Sequence, residues 1–408
     1  MAGDENTRVD ARALHAMNER ANRLQDEGDF HAALTLLERV VASSVDVLGA
    51  EHEDTLVAQN NLGDTLRSVG DFDQARALLE RTVEAMDRTL GDEHPYTLST
   101  RSNLASVFSS MREVARTRRL REDILETQRR VQGPDHPETL IAMNNLASTL
   151  MHMGELEDAR SLFQRTLSSM KNTLGAEHPH TLDATNNLAS VLHEQDDIDA
   201  AHTLYVRVLE ARTRTLGASH PSTLTSMNSL GITHRDLGDP DAALALQRSA
   251  VQGLTHVLGP QHPHTLTTMS HLATTHQARD ELDAAVALRE RVLDAYVDQF
   301  GDDHPVSIDM MHTIASGLIQ MERYTAAKGL HEHILGVLSR ALGEEDPRAI
   351  DAMSDLAFVT LRSGDTTGAC AILRRTIALR ERVHGEEHPD TIMSRAILER
   401  ILSGAGTP

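Results

Sequence analysis

The chain has 408 residues, a formal net charge of −22, and an aromatic content of 2% with no tryptophan. That acidic balance argues against nucleic acid and anionic membrane surfaces as partners, since both attract positive patches. The single cysteine, Cys370, excludes an internal disulfide and suits a reducing cytosol, and no run approaches the ~18 apolar residues of a membrane span.

Residues 1–9 are acidic and without an apolar stretch, so they read as a frayed tail and not as a secretory signal. A first unit runs from about residue 10 to Gly49, with Gly28-Asp29-Phe30 as its internal turn. From there one pattern returns. Gly49, Gly91, Gly133, Gly175, Gly217, Gly259, Gly301, Gly343 and Gly385 stand 42 residues apart. Most lead into a His-Pro pair, as in Leu90-Gly91-Asp92-Glu93-His94-Pro95-Tyr96-Thr97-Leu98, while His52-Glu53 and Asp346-Pro347 depart from it. A period kept without insertion or deletion predicts a solenoid.

Each part of the unit has a physical reading. The glycine follows an apolar-periodic run and serves as the left-handed residue that ends a helix. Proline suits the first turn of the next helix, where a missing N–H costs nothing. The histidine before it caps that turn through a ring nitrogen or packs in the loop. A helix follows with Leu140, Leu146, Ala147 and Leu150 at helical spacing. A turn comes next, at Gly70-Asp71, Gly154-Glu155, Gly238-Asp239 or Gly364-Asp365, and then a second helix carrying Ala75, Leu78, Leu79 and Val83. The expectation is an all-α fold of nine antiparallel helix pairs forming a single solenoid over residues 10–402. A lone capping helix, Thr391 to Leu402, is kept wettable by Arg395, Glu399 and Arg400, and 403–408 form a tail. Cys370 falls in a second helix, as a buried small residue. Lys171 and Lys328 are the only lysines among 39 basic residues, a bias that points to a GC-rich, bacterial genome.

Leu146-Ala147, Leu150, Ala159 and Phe163 fill the signature places of the tetratricopeptide repeat in order, as do Leu188-Ala189, Leu192, Ala201 and Tyr205. The longer period and the His-Pro-x-Thr-Leu and Asn-Asn-Leu-Ala wording resemble the kinesin-light-chain variety of that repeat, over roughly residues 10 to 402. The resemblance implies a right-handed superhelix, and it is poorly specific for function.

One repeat breaks the pattern. In residues 112–130, Arg112 replaces the turn glycine, Thr117 the small alanine and Arg121 a core leucine. Arg112, Arg116, Arg118 and Arg119 belong to a basic island that reads as a drifted helix paired with acidic neighbours, or as a dimer or ligand interface or a mechanically soft joint.

Enzyme signatures are missing. No Gly-x-x-x-x-Gly-Lys-Ser/Thr loop, His-Glu-x-x-His or pair of cysteines occurs, so the chain reads as non-catalytic and without a cofactor. Eight histidines, His52 to His388, follow the period; at about 10 Å per helix pair they stand too far apart to share a metal. His271, His276 and His312 are the candidates for a metal site on inner helix positions, together with His234. No carboxylate is obviously placed to orient them, and the expectation is no metal.

Asparagine carries the stronger signal. Counting first helices from Leu56, the fifth position holds Asn18, Asn60, Asn144, Asn186 and Asn228, and the sixth holds Asn61, Asn103, Asn145 and Asn187. Asparagine is unfavourable inside helices, so its recurrence needs a reason. In the repeat family these places tend to face the concave groove, and kinesin light chains and O-GlcNAc transferase hold extended segments with groove asparagines. The resemblance therefore implies a ladder matching the peptide units of an extended ligand; the alternative is bonding to a neighbouring helix. After residue 228 the columns degrade to Ser270-His271, His312-Thr313 and Ser354-Asp355. The overall reading is a cytoplasmic protein-interaction scaffold that takes a neutral or basic extended segment. Its rival is a sensor or regulatory subunit acting on an enzyme of another chain, with a groove enzyme at the histidines as a remote third.

Overall fold

The computed structural model describes residues 11–26 and 29–403. The tail expected at 1–9, residues 404–408 of the tail expected at 403–408, and Gly28 of the first turn lie outside the described residues. Among the described residues all regular structure is helical. The pairs are α1 (Ala11–Asp26) with α2 (Phe30–Leu48), α3 (Glu53–Ser68) with α4 (Phe72–Thr89), and α5 (Pro95–Ser110) with α6 (Val114–Gln132). Next come α7 (Pro137–His152) with α8 (Leu156–Thr173), α9 (Pro179–Glu194) with α10 (Ile198–Leu216), and α11 (Pro221–Asp236) with α12 (Pro240–Leu258). The last are α13 (Pro263–Ala278) with α14 (Leu282–Phe300), α15 (Pro305–Gln320) with α16 (Tyr324–Leu342), and α17 (Pro347–Arg362) with α18 (Thr366–Val383). A single helix, α19 (Pro389–Leu402), follows them. The fold is an all-α solenoid of helix pairs. None of the described helices is long and apolar enough to cross a membrane.

The loop between pairs explains the repeated wording residue by residue. Gly217 has φ 90° and ψ 160°, and Gly133 has φ 91° and ψ 165°. Positive φ was expected, but these values lie outside the left-handed helical basin, in a region that only glycine enters readily. The histidine is the N-cap. Its Nδ1 accepts from the second helical N–H in His94 (Tyr96, 3.3 Å), His136 (Glu138, 3.3 Å) and His220 (Ser222, 3.1 Å), and Asp346 does the same with its carboxylate (Arg348, 3.0 Å). Proline takes the first helical position. The threonine hydroxyl then donates back to the glycine carbonyl, at 2.8 Å from Thr97 to Gly91 and 2.8 Å from Thr139 to Gly133. So four residues of the motif close one loop, and the leucine behind them (Leu98, Leu140) is buried.

Within each pair the contact is made by small residues. Ala105, Ala147 and Ala189 on first helices and Ala75, Ala159 and Ala201 on second helices are fully buried. A Cβ on Gly63 would come within 2.5 Å of Leu79, so the register admits almost no volume. Leu79 and its equivalents Leu37 and Phe163 are buried without exposure, worth about 1.5–3 kcal/mol each. The turn inside each pair needs positive φ as well. Gly70, Gly154, Gly238 and Gly364 supply it, whereas Arg112, Asp196, Asp280 and Glu322 adopt φ 56–62° at the same register. Cys370 is buried.

By their internal packing the residues fall into two compact units, Met1–Thr265 and Leu266–Pro408. In the first, α1 touches α3, α3 touches α5 and α7 touches α9, so the first helices of successive pairs share one face.

Candidate functional site

That shared face carries the asparagines. Asn103 Nδ2 donates to Asn60 Oδ1 at 2.9 Å, Asn60 Nδ2 to Asn61 Oδ1 at 3.4 Å, and Asn61 Nδ2 to Asn18 Oδ1 at 3.2 Å and Asn22 Oδ1 at 3.1 Å. Asn187 Nδ2 donates to Asn144 Oδ1 at 3.3 Å. The carboxamides thus bond one another and not the neighbouring helix backbone. The rule of pairing is constant: the sixth position of one repeat meets the fifth position of the repeat before it, 43 residues away. The relay from Asn103 to Asn18 has a direction, and each amide polarises the next. At its end the Asn103 carbonyl oxygen accepts from no described residue. Asn145 and Asn186 likewise make no side-chain hydrogen bond within the described chain, and Asn228 is buried on α11.

A cleft of about 340 Å³ opens where the relay ends, between α5 and α7 with α6 as its floor. Its polar lining includes Ser99, Ser102, Asn103, Gln128, Gln132 and Asn145, together with the Glu138 carboxylate. Gln128 Oε1 and Gln132 Oε1 are buried there and have no hydrogen-bond partner. Neither glutamine stood out in the sequence. The signal was available, since Gln128 occupies the register of Met86 and Met170, both fully buried apolar residues.

The basic island is largely self-paired. Arg116 bonds Glu113 at 2.9 Å and lies 5.0 Å over the Phe108 ring, and Arg118 bonds Glu122 at 2.9 Å and Glu155 at 2.8 Å. Arg112 sits in the strained turn, and Arg119 is exposed. Arg121 turns inward: its Nη1 donates to the Asn145 carbonyl and the Thr149 hydroxyl, each at 2.6 Å, and burial pushes its pKa down to about 10.

The candidate histidines have different surroundings. His276 is buried and bonds Glu281 at 2.5 Å, so a carboxylate does orient it. His271 stands half-buried on α13. His234 meets His202 instead, ring edge to ring face at 4.8 Å. Burial, with His234 adding, lowers the His202 pKa. His312 is the exception: it stands beside His331 and Asp355.

Comparison with known proteins agrees with the geometry. Tetratricopeptide-repeat profiles match residues 11–88, 58–116, 138–213 and 264–340, and, in a second form, 97–138, 223–264 and 350–390. No curated protein matches the chain. Among solved structures, a Podosopora anserina putative kinesin light chain with nearly identical TPR-like repeats is 24% identical, covers 51% of this chain and 99% of its own, and has a TM-score of 0.47. A Rap protein complexed with Competence and Sporulation Factor is 11% identical over 97% of this chain and 99% of its own, with a TM-score of 0.54. The apo form of the quorum sensor NprR from B. thuringiensis is 13% identical over 90% and 99%, with a TM-score of 0.52. The last two likenesses bear on fold alone. The profile matches span most of the sequence, and the chain belongs to the tetratricopeptide-repeat family.

Proposed function

We propose that the chain is a non-catalytic scaffold that holds an extended peptide segment along the asparagine face, entering at the cleft between α5 and α7. The observation that carries this reading is the set of unmet acceptors there: Gln128 Oε1 and Gln132 Oε1, with Asn103 Oδ1 beside them. Buried acceptors without donors are costly. Gln128 and Gln132 lie one turn apart, a rise of about 6 Å, close to the ~6.7 Å between same-side amides of an extended chain. A peptide backbone could therefore donate to both in turn. A site made of acceptors, in a chain of net charge −22, selects donors, so the segment is neutral or basic.

The test uses the whole chain and an array of neutral, basic and acidic peptides of about ten residues. Gln128→Met installs the residue of the neighbouring repeats, so the variant keeps its fold. Capture of neutral or basic members by the parent and at least tenfold weaker capture by Gln128→Met is the expected result. Capture of acidic members alone, no capture at all, or equal capture by the variant overturns the proposal.

A further inference from the structure

The pairing rule that builds the asparagine relay also operates in the second unit, with different chemistry. His312 on α15 takes the fifth position and Asp355 on α17 the sixth position of the next repeat, the same relation as Asn60 to Asn103. Under them lies His331 of α16, in the register that holds Leu37, Leu79 and Leu373 in three repeats and Arg121, Gln247 and Arg289 in three others. One nitrogen of each histidine and one Asp355 oxygen lie within 4.8 Å of one another. The His312 and His331 rings stand 5.8 Å apart, edge to face.

None of these three side chains is consumed by the fold. His331 is 4% exposed, and its Nδ1 is buried without a hydrogen-bond partner. Neither His312 nor Asp355 makes a hydrogen bond or ion pair within the described chain. A buried imidazole with an unpaired nitrogen is expensive unless something completes it.

We propose that His312, His331 and Asp355 bind a divalent transition-metal ion of the zinc class. Two imidazoles and a carboxylate suit that class, whereas calcium and magnesium prefer oxygen ligands throughout. Zinc bonds of about 2.0–2.1 Å set tetrahedral ligand atoms about 3.3 Å apart, so binding draws the three side chains inward by about 1 Å. His331 anchors the ion from below and Asp355 reaches it from the exposed side, leaving the fourth position to water. The site joins α15, α16 and α17, so the ion ties two successive repeats together where the asparagine rungs have ended.

The experiment titrates chelator-stripped full-length protein with Co²⁺, read by visible absorption, and with Zn²⁺, read by calorimetry. Variants return each ligand to its repeat register: His331→Leu, His312→Asn and Asp355→Asn. His180→Gln controls for the other histidines, and melting curves confirm that each variant folds. One equivalent should bind to the parent and to His180→Gln, with at least tenfold weaker binding in each ligand variant. No binding by the parent, or an equivalent that survives the variants that fold, overturns the assignment.

Discussion

The ring of Phe30 stacks on that of His262, with 5.3 Å between centroids and 23° between planes, although the two stand at opposite ends of the first unit. Phe30 opens α2, and His262 is the capping histidine before α13, its Nδ1 accepting from the His264 N–H at 3.1 Å. His264 in turn feels the charge of Arg67 at the end of α3. The last loop of the unit therefore packs on its first repeat. Burial, with His264 adding, pushes the His262 pKa down to about 4.

This contact makes the first unit sensitive to acid. The folded chain prefers neutral His262, while an unfolded histidine titrates near 6.5. Between about pH 4 and pH 6.5 the unfolded state holds more protons, so stability rises with pH across that window and falls on acidification. NMR titration of His262 should give a midpoint near 4, and Phe30→Ala should move it toward 6.5. An ordinary midpoint in the parent would mean that the two rings do not meet.

Arg112 offers a gain in stability. Its φ of 58° costs a residue with a Cβ about 1–2 kcal/mol, and glycine fills the same register in five other repeats. After the entropy that glycine loses on folding, Arg112→Gly should stabilise by about 0.5–1 kcal/mol in a urea melt. A loss would show that the exposed guanidinium contributes more than the turn costs.

Gly217→Ala tests the loop between repeats. No atom stands within 4 Å of the added Cβ, so the effect is one of backbone alone. The conformation at φ 90° and ψ 160° should cost alanine about 1–3 kcal/mol. Asparagine, which tolerates the left-handed helical basin, should rescue nothing at this position. Recovery of the parent melting temperature by Gly217→Asn would place the residue in that basin after all.

For the relay, a double-mutant cycle on Asn60 and Asn103 isolates one rung. Each alanine recovers up to ~0.7 kcal/mol of helix propensity, so single variants should change stability little. The coupling between them should be about 0.5–1.5 kcal/mol. Coupling near zero would mean that the two carboxamides act separately and that the face is not a connected array.

Much of the fold was legible because its signals are local. The glycine, histidine, proline, threonine and leucine of each loop act within nine residues of one another, so their spacing marked where one helix pair ends and the next begins. The asparagine columns were legible too, but not their pairing, which depends on how far each helix is displaced from the next. His331 escaped because it sits on a second helix in a core register, where only alignment under Leu79 exposes it. Asp355 looked like decay of a column, and it gains meaning only beside His312. The meeting of Phe30 and His262 sums small rotations over many repeats, and no short stretch of sequence records such a sum.

The constant offset of 43 residues in the asparagine pairs has a genetic consequence. Every rung is written half in one 42-residue unit and half in the next. Duplication or loss of a whole unit, by recombination between similar stretches of the gene, joins a fifth position to a sixth position wherever the cut falls. Only the chemistry of the newly joined rung changes. A donor-rich rung, an amide rung or a metal-binding rung can thus arise next to any other without a new fold, and the gene can vary what the face recognises by copying alone.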